Sequence, residues 1–361
     1  MKKTNLYETH KSLGATMTNF AGYEMPVSYG SILYEHNCVR NSVGVFDVSH
    51  MGEFLVEGES AERFLQYCCS NDIKRLFVGK AQYNYFPNLK GGIIDDLIVY
   101  KLEENKYLLV LNASNIQKDW DHLNLLNKNF SADLKNISDN ISLISVQGPN
   151  STKLLNKVSD FNFETLKNYM NCITSVASIK NVIVASTGYT GAGGYEIYCD
   201  NKNVKYLWDT IFNEGKEFNV SPIGLAARDS LRIEMGYCLY GNEIDDSRSP
   251  IEAGLGWITK TQTNFYGSNR IIEDIDNGCK YMIAGIKSED RMIPRKGNII
   301  LNCSNHEIGI ITSGTFSPTL KKPIGIGYVL KDFINSDEEI LIDNKRKIFK
   351  AKLSSLPFIE F

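Results

Sequence analysis

The segment GGIIDDLIVY, residues 91–100, combines a strand pattern with two adjacent acids. Its two glycines favour a turn, and the apolar run that follows is interrupted only by Asp95 and Asp96. Because successive side chains of a strand point to opposite faces, Asp96 shares a face with Ile98 and Tyr100, and Asp95 lies on the other. Both faces are mostly apolar, so we expect one carboxylate where water is scarce. A carboxylate in such a place is unfavourable unless something binds it.

This segment is the middle strand of a predicted meander. The stretch AQYNYFP (81–87) precedes it and KYLLVLNA (106–113) follows it, with a turn on each side. An amphipathic helix, NIQKDWDHLNLLNKN (115–129), comes next. Helices mixed with antiparallel hairpins predict an α+β fold.

The second half repeats this mixture before turning to strands alone. NVIVAST (181–187) and YEIYC (195–199) read as a hairpin around the glycine-rich turn GYTGAGG (188–194). A helix is predicted over 221–236, with Pro222 in its first turn. From about residue 280 six strand patterns follow, which predicts a small C-terminal β-barrel or sandwich. No internal repeat is evident.

Composition excludes several classes of function. The 361 residues carry a net charge of −3, which gives no electrostatic footprint for nucleic acid. The sequence contains no run of about 18 apolar residues, so we expect no membrane span. The N-terminus has no apolar leader region. The eight cysteines form no C-x-x-C pair, which favours reduced thiols. We therefore expect a protein of the cytoplasm without a nucleic-acid or membrane partner.

The familiar catalytic motifs are missing from the sequence. It contains no phosphate-binding G-x-x-x-x-G-K-[ST], no G-x-S-x-G, no H-E-x-x-H and no G-x-G-x-x-G that opens a helix. The five histidines lack metal-ligand spacing, so we expect no metal site. Carboxylates, tyrosines and arginines are therefore the candidate functional groups.

Three stretches carry such groups, and each has two interpretations. The Asp95–Asp96 pair is either ion-paired structure or a carboxylate that faces a ligand. In GYTGAGGYE (188–196) the glycines suit a hairpin loop or a close approach to a ligand. Tyr189 and Glu196 flank that loop, and an acid can accept a pair of N–H donors from a flat heterocycle.

The third stretch is AARDSLRIEMGY (226–237). Arg228 and Arg232 are four residues apart and share one face of the predicted helix. They can hold an acidic ligand tail, or they can pair on the surface with Asp229 or Glu234. The pattern alone leaves both possibilities open.

Taken together, these stretches resemble the aminomethyltransferase family of the glycine cleavage system, the T-proteins. The resemblance runs in order through nearly the whole chain, and FDVSHMGEF followed by GGIIDDLIVY is its most specific part. The matching segments are 6–36, 40–54, 91–100, 110–119, 187–196, 224–245 and 311–329.

The resemblance implies a three-domain, cloverleaf-like α+β fold with antiparallel sheets and a C-terminal β-barrel. The implied domains are a discontinuous folate-binding core domain over 1–52 plus 140–278, an α+β domain over 53–139 that carries the Asp-Asp strand, and a barrel domain over 279–361.

The resemblance also implies the reaction. Tetrahydrofolate would enter a central channel together with the lipoyl arm of a partner carrier, the H-protein. The methylene of the S-aminomethyl-dihydrolipoyl arm would pass to tetrahydrofolate. The products would be 5,10-methylenetetrahydrofolate, ammonia and the reduced arm, and no metal would take part.

The family pattern assigns roles to particular positions. Asp96 would be the catalytic carboxylate, which stabilises the iminium-like charge as the C–S bond breaks. Asp95 would be structural, and Arg232 is left without a role. The implied folate-binding residues are Met51, Tyr83, Tyr100 and Asn112 along the pocket, Tyr189 and Glu196 at the pterin, Arg228 at the benzoyl-glutamate end, and Tyr237 along the channel.

Three rival interpretations share part of this resemblance. A folate-dependent demethylase of a small methylated sulfur compound or amine would use the same pocket with a freely diffusing substrate. A non-catalytic folate-binding maturation factor would carry a K-G-C-Y-x-G-Q-E stretch, which this sequence lacks. The C-terminal domain of an amine oxidase would need a flavin domain, for which the chain is too short and has no dinucleotide fingerprint.

Overall fold

A computed structural model describes residues 1–334, 336 and 338–360. No helix in these ranges is long and apolar enough to cross a membrane. The α-helices are α1 Tyr7–Ser12, α2 Ile32–Asn41, α3 Ala61–Cys68, α4 Ile116–Asn127, α5 Ser151–Lys157, α6 Val204–Glu214, α7 Leu225–Glu234 and α8 Ser268–Asn277.

Nineteen strands accompany these helices in the described part of the chain. In order they are β1 Thr16–Phe20, β2 Tyr23–Ser28, β3 Val43–Asp47, β4 Gly52–Glu57, β5 Ala81–Pro87, β6 Ile93–Glu103, β7 Lys106–Leu111, β8 Asp133–Asn136, β9 Ile141–Gln147, β10 Asn171–Val176, β11 Ile179–Ala185, β12 Gly194–Asp200, β13 Val220–Pro222, β14 Tyr281–Ser288, β15 Ile299–Leu301, β16 Glu307–Ser317, β17 Lys322–Leu330, β18 Ile340–Asp343 and β19 Ile348–Ser354.

The chain divides into two compact units. Unit 1 comprises Met1–Gln66, Asp72–Asn84 and Leu97–Arg228, and unit 2 comprises Tyr67–Asn71, Tyr85–Asp96 and Asp229–Phe361. This division does not test the three predicted domain boundaries, which stay predictions.

The predicted α+β class is confirmed by two larger sheets that alternate with helices. A six-stranded sheet has the order β10-β11-β12-β9-β3-β13, and a five-stranded sheet has the order β5-β6-β7-β4-β8. The predicted meander is present as β5, β6 and β7, because the turns after Pro87 and Glu103 return the chain to neighbouring strands.

The chain from β4 to β13 contains one strand–helix order twice, which the sequence analysis missed. The first module runs β4-α3-β5-β6-β7-α4-β8 and the second runs β9-α5-β10-β11-β12-α6-β13. The strand order in the sheets is also the same, except that β3 is inserted between β9 and β13. The 3₁₀ turns that follow α3 and α5 also agree: the residues before them, Asp72 and Asn162, have φ/ψ angles of −84°/94° and −82°/99°.

Helices α5 and α6 cover one face of the six-stranded sheet with a buried apolar core. On β12 this face carries Tyr195, Ile197 and Cys199. Because side chains alternate along a strand, Glu196 and Tyr198 point to the opposite face, away from those helices. The core of the second module thereby fixes the direction of the two polar side chains.

Unit 2 contains a closed barrel with the order β14-β17-β16-β15-β18-β19, which confirms the predicted C-terminal barrel. Alternate residues of these strands, such as Ile300, Ile311 and Ile342, fill its interior. Glycines also fit where strands lie close: a Cβ at Gly309 would come within 2.1 Å of a neighbouring backbone oxygen.

The helix predicted over 221–236 begins later than the sequence suggested. Pro222 ends strand β13, which pairs in parallel with β3 at the edge of the sheet, and α7 starts at Leu225. An edge strand tolerates proline because one side of its backbone needs no ladder hydrogen bond. Gly224 follows, and its N–H donates to the Glu35 carboxylate over 2.8 Å.

Candidate active site

Unit 1 contains a cluster of polar side chains centred on the carboxylate of Glu196, which hydroxyl groups hold in place. Oε2 of Glu196 accepts a hydrogen bond from Thr187 Oγ1 at 2.5 Å and one from the Tyr100 hydroxyl at 3.3 Å. The hydroxyls of Tyr100 and Thr187 lie 3.0 Å apart, and Tyr198 donates to Tyr100, also over 3.0 Å. Because both donors converge on one oxygen, they orient the carboxylate and leave the lone pairs of Oε1 available for a ligand.

One cationic group and one aromatic group complete this cluster. The Arg228 guanidinium lies 4.5 Å from the centre of the Tyr189 ring, which is a cation–π distance. Burial raises the pKa of Glu196, and the Thr187 hydrogen bond, the positive charge of Arg228 and the Tyr100 hydrogen bond each oppose that rise. The structure thus brings together four predicted site residues, Tyr100, Tyr189, Glu196 and Arg228.

The glycine-rich loop packs against Gln147 at the end of β9. The Gln147 amide donates to the Thr187 carbonyl over 3.0 Å, and its oxygen accepts from Thr190 Oγ1 at 2.7 Å. A Cβ at Gly188 would come within 2.1 Å of that side chain, and Gly194 has a φ of +140°. The loop is therefore a hairpin between β11 and β12, and its glycines are explained by close packing and left-handed backbone angles.

His50 lies beside this cluster in unit 1, and the sequence analysis did not single it out. Its ring meets Phe20 edge to face at 5.4 Å, and neither ring nitrogen has a hydrogen-bond partner among the described residues. Burial, followed by the positive charge of Arg228, lowers the pKa of His50 to about 3. The imidazole is therefore neutral and can offer one donor and one acceptor.

Glu53, on β4, is a second buried polar group of unit 1. It is fully buried, and within the described residues neither of its carboxylate oxygens has a hydrogen-bond partner. Burial alone raises its pKa well above the ordinary value. Burial therefore favours the protonated, neutral form of Glu53.

The remaining predicted residues of unit 1 lie on separate elements. Met51 is half-buried in the turn before β4, where its N–H donates to Val48 over 3.1 Å. Tyr83 is half-buried on β5, and Asn112 precedes the 3₁₀ turn Ala113–Asn115. Their contact with a ligand stays a prediction.

The two adjacent acids differ in burial. Asp95 is fully buried, whereas Asp96 is half-buried, so the position with the least water belongs to Asp95. In unit 2, burial and the negative charges of Glu243 and Asp96 raise the pKa of the Cys238 thiol. Tyr237, the residue before Cys238, is 36% exposed. The roles of Asp96 and Tyr237 stay predictions.

Arg232 belongs to a buried ion-pair network of unit 2. Its guanidinium is 1% exposed and donates to Asp229 at 2.8 Å and to Glu243 at 2.7 Å. The predicted ion pair with Asp229 is therefore present, although Arg232 is buried rather than on the surface, and Glu243 is a second acidic partner.

No group of three or more His, Cys, Asp or Glu side chains in the described ranges could hold a metal ion. Three residues of the site, Thr187, Tyr198 and His50, are not among those predicted from the sequence. A signal existed for two of them: Tyr198 is two residues after Glu196 on the same strand face, and His50 precedes Met51.

The profile of the GCVT N-terminal domain matches residues 6–263, and that of the glycine cleavage T-protein C-terminal barrel domain matches residues 282–360. A protein from Flavobacterium psychrophilum named aminomethyltransferase is 46% identical over 358 residues, which covers 99% of each chain. One from Bacteroides fragilis with the same name is 47% identical over 360 residues, again with 99% of each chain covered.

A solved structure gives the same result. The crystal structure of glycine cleavage system aminomethyltransferase T from Bartonella henselae superposes with a TM-score of 0.93 at 32% sequence identity, covering 99% of this chain and 98% of the other. Agreement in sequence profile, in full-length identity and in fold has one conclusion: the chain belongs to the glycine cleavage T-protein family of aminomethyltransferases.

Proposed function

We propose that this chain transfers the methylene of an S-aminomethyl-dihydrolipoyl group to tetrahydrofolate and releases ammonia. The bond between sulfur and methylene breaks, and so does the bond between methylene and the amine nitrogen. The carbon becomes bonded to N5 and N10 of tetrahydrofolate, and the two protons of those nitrogens leave with ammonia and the dihydrolipoyl thiol. The reaction therefore needs neither oxidant nor reductant.

The oriented carboxylate of Glu196 is the observation that carries this proposal. Its Oε2 is engaged by Thr187 and Tyr100, so its Oε1 can accept the N–H groups of an aminopyrimidine ring. Tyr189 and Arg228 stand beside it as an aromatic face and a cation, which suit a pterin and the acidic tail of folate. Met51, Tyr83, Asn112 and Tyr237 are proposed as further folate contacts on the family pattern.

Asp96 is proposed as the catalytic carboxylate. Charge stabilisation by a preorganised group is commonly worth about 3–4 kcal/mol of barrier. A carboxylate at position 96 favours the cationic, iminium-like carbon that forms as the C–S bond breaks. Its half-buried position suits this role, because it limits the water around the carboxylate without enclosing the group completely.

The lipoyl group is proposed to arrive on a partner carrier, the H-protein of the glycine cleavage system. The decisive assay supplies tetrahydrofolate with either aminomethyl-loaded carrier or a free methylated amine or sulfur compound. We expect methylenetetrahydrofolate only with the loaded carrier, and little ammonia when tetrahydrofolate is omitted. Product from the free methyl donor would favour the demethylase. Abundant ammonia in the absence of tetrahydrofolate would exclude tetrahydrofolate as the acceptor.

A further inference from the structure

The segment after α7, residues 237–243, is held in place by a buried ion pair; we call it the 237–243 loop. Arg232 Nη1 donates to the Tyr237 carbonyl over 3.0 Å and to Glu243 Oε2 over 2.7 Å. The same Glu243 oxygen accepts from the backbone N–H of Leu239 at 2.9 Å. Both ends of the loop and its middle are therefore tied to one guanidinium–carboxylate pair.

The pair is also fastened to the barrel. Arg232 Nη2 donates to Ser313 Oγ over 2.7 Å, and Thr312 Oγ1 donates to Glu243 Oε1 over 2.6 Å. Thr312 and Ser313 are neighbours on β16, and the Tyr328 hydroxyl of β17 donates to the Glu243 carbonyl over 2.6 Å. The loop thus takes its position from α7 and from two barrel strands.

Hydrophobic residues of similar volume often replace a buried ion pair without loss of stability, so stability alone does not explain this one. What the pair does provide is direction, because a guanidinium donates in a fixed planar fork. Two residues beyond Glu243, the Asp245 carbonyl accepts a hydrogen bond from the Ile93 N–H at 3.0 Å, and Ile93 begins strand β6, which carries Asp96. The position of the loop therefore sets which groups surround Asp96 in unit 2.

We propose that Arg232 and Glu243 are positioning residues: their ion pair fixes the 237–243 loop and thereby sets the surroundings of the Asp96 carboxylate within unit 2. This inference rests on the proposed catalytic role of Asp96. It gives Arg232 a role in the reaction that does not require contact with folate.

The test uses Arg232→Lys in the full-length chain. Lysine keeps the charge but cannot reproduce the planar fork toward Glu243, the Tyr237 carbonyl and Ser313. We expect kcat to fall by roughly 10- to 100-fold, the scale of a misplaced active-site group, while KM for tetrahydrofolate changes less than about threefold. Glu243→Gln keeps the shape of the side chain and should show a smaller loss of kcat of the same kind. It replaces Arg232→Lys in the test if that variant does not fold.

A second readout follows the loop without using activity. Cys238 is 8% exposed, so its alkylation by N-ethylmaleimide, followed by mass spectrometry of its peptide, reports release of the loop. We expect Arg232→Lys to speed this alkylation by about tenfold or more, as expected when a local segment opens more often.

Glu234→Gln is the matched control. Glu234 lies on the same helix, is also fully buried, and accepts from Ser317 and Thr319 at 2.5 and 2.9 Å, two residues that lie outside the 237–243 loop. It should lower the melting temperature but leave both kcat and Cys238 alkylation close to those of the unaltered protein.

A double-mutant cycle with Asp96→Asn decides whether the pair acts through Asp96. In that background Arg232→Lys should lower kcat by less than about threefold, because residues that act through one another are not additive. Additive losses, unchanged Cys238 alkylation in both variants, or equal effects of Glu234→Gln would each overturn the inference. If Asp96→Asn alone leaves activity intact, the proposed function of Asp96 fails, while alkylation still shows whether the pair holds the loop.

Discussion

The hydroxyl of Tyr100 donates to Glu196 across 3.3 Å, although 96 positions separate the two residues in the chain. Tyr100 comes from β6 of the first module and Glu196 from β12 of the second. The hydrogen bond therefore joins equivalent halves of a duplicated order and creates a polar cluster that neither half forms alone. The acidity of Glu196 depends on donors from both halves.

Removing one of those donors should change the pH dependence of folate binding. Thr187→Val deletes the 2.5 Å hydrogen bond that lowers the pKa of Glu196, so that pKa rises further. Because the ionised form accepts the N–H pair of the ligand, binding weakens when acidification protonates Glu196. In Thr187→Val this weakening should begin at a higher pH than in the unaltered protein. The dissociation constant of tetrahydrofolate between about pH 5 and pH 8 measures the shift.

Tyr198→Phe is the control for that experiment. It removes a hydroxyl that donates to Tyr100 rather than to Glu196, so its shift should be smaller. Identical profiles for Thr187→Val and the unaltered protein would show that Glu196 does not titrate in the binding step.

Arg228→Ala should weaken folate binding more than it slows the chemistry. The substitution removes a cation 4.5 Å from the Tyr189 ring and the charge that favours ionised Glu196. A cation–π contact contributes about 0.5–2 kcal/mol, so we expect roughly 2- to 30-fold weaker binding, with kcat at saturating tetrahydrofolate changed by less than about threefold. Arg228→Lys, which keeps the charge, should lie in between. A loss confined to kcat would place Arg228 in the chemical step instead.

Asp96→Asn should keep the fold and lose most turnover. Loss of one preorganised stabilising group lowers kcat by about 100- to 1,000-fold. Steady-state turnover with loaded carrier measures the loss of activity, and the melting temperature shows whether the fold is kept. Asp95→Asn is the neighbouring control: because Asp95 is fully buried, its substitution should lower the melting temperature and leave the kcat of the folded protein largely unchanged. Activity close to normal in Asp96→Asn would refute the assigned role.

Glu53→Gln should stabilise the protein, and more so as the pH rises. Burial raises the folded-state pKa of Glu53, so above the ordinary pKa of about 4.3 the unfolded chain releases a proton that the folded chain retains. The stability of the unaltered protein therefore falls with rising pH through the window up to the raised pKa, whereas glutamine does not titrate. The difference in melting temperature between the two proteins should be larger at about pH 8 than at about pH 4. A constant difference would mean that Glu53 ionises normally in the folded state.

The sequence predicted the elements better than their arrangement. Alternation along residues 93–100 and the turns around it placed β6 and its neighbours correctly, because strand periodicity is a local property. Local pattern could not show that Thr187 joins Glu196 to Tyr100, since that contact depends on two sheets coming together. It also placed Pro222 in a helix, because a proline near a helix start and one that ends an edge strand look alike in sequence.

The two modules differ in the side chains that they present on matching strands. Leu55 pairs with Leu108 in the first module as Ser145 pairs with Glu196 in the second, each two residues before its strand ends. The counterparts of Glu196 and Tyr198 are therefore Leu108 and Val110, which are aliphatic. Only the second module carries an acid and a phenol on this row, so a titration should reach saturation at a single pterin per polypeptide.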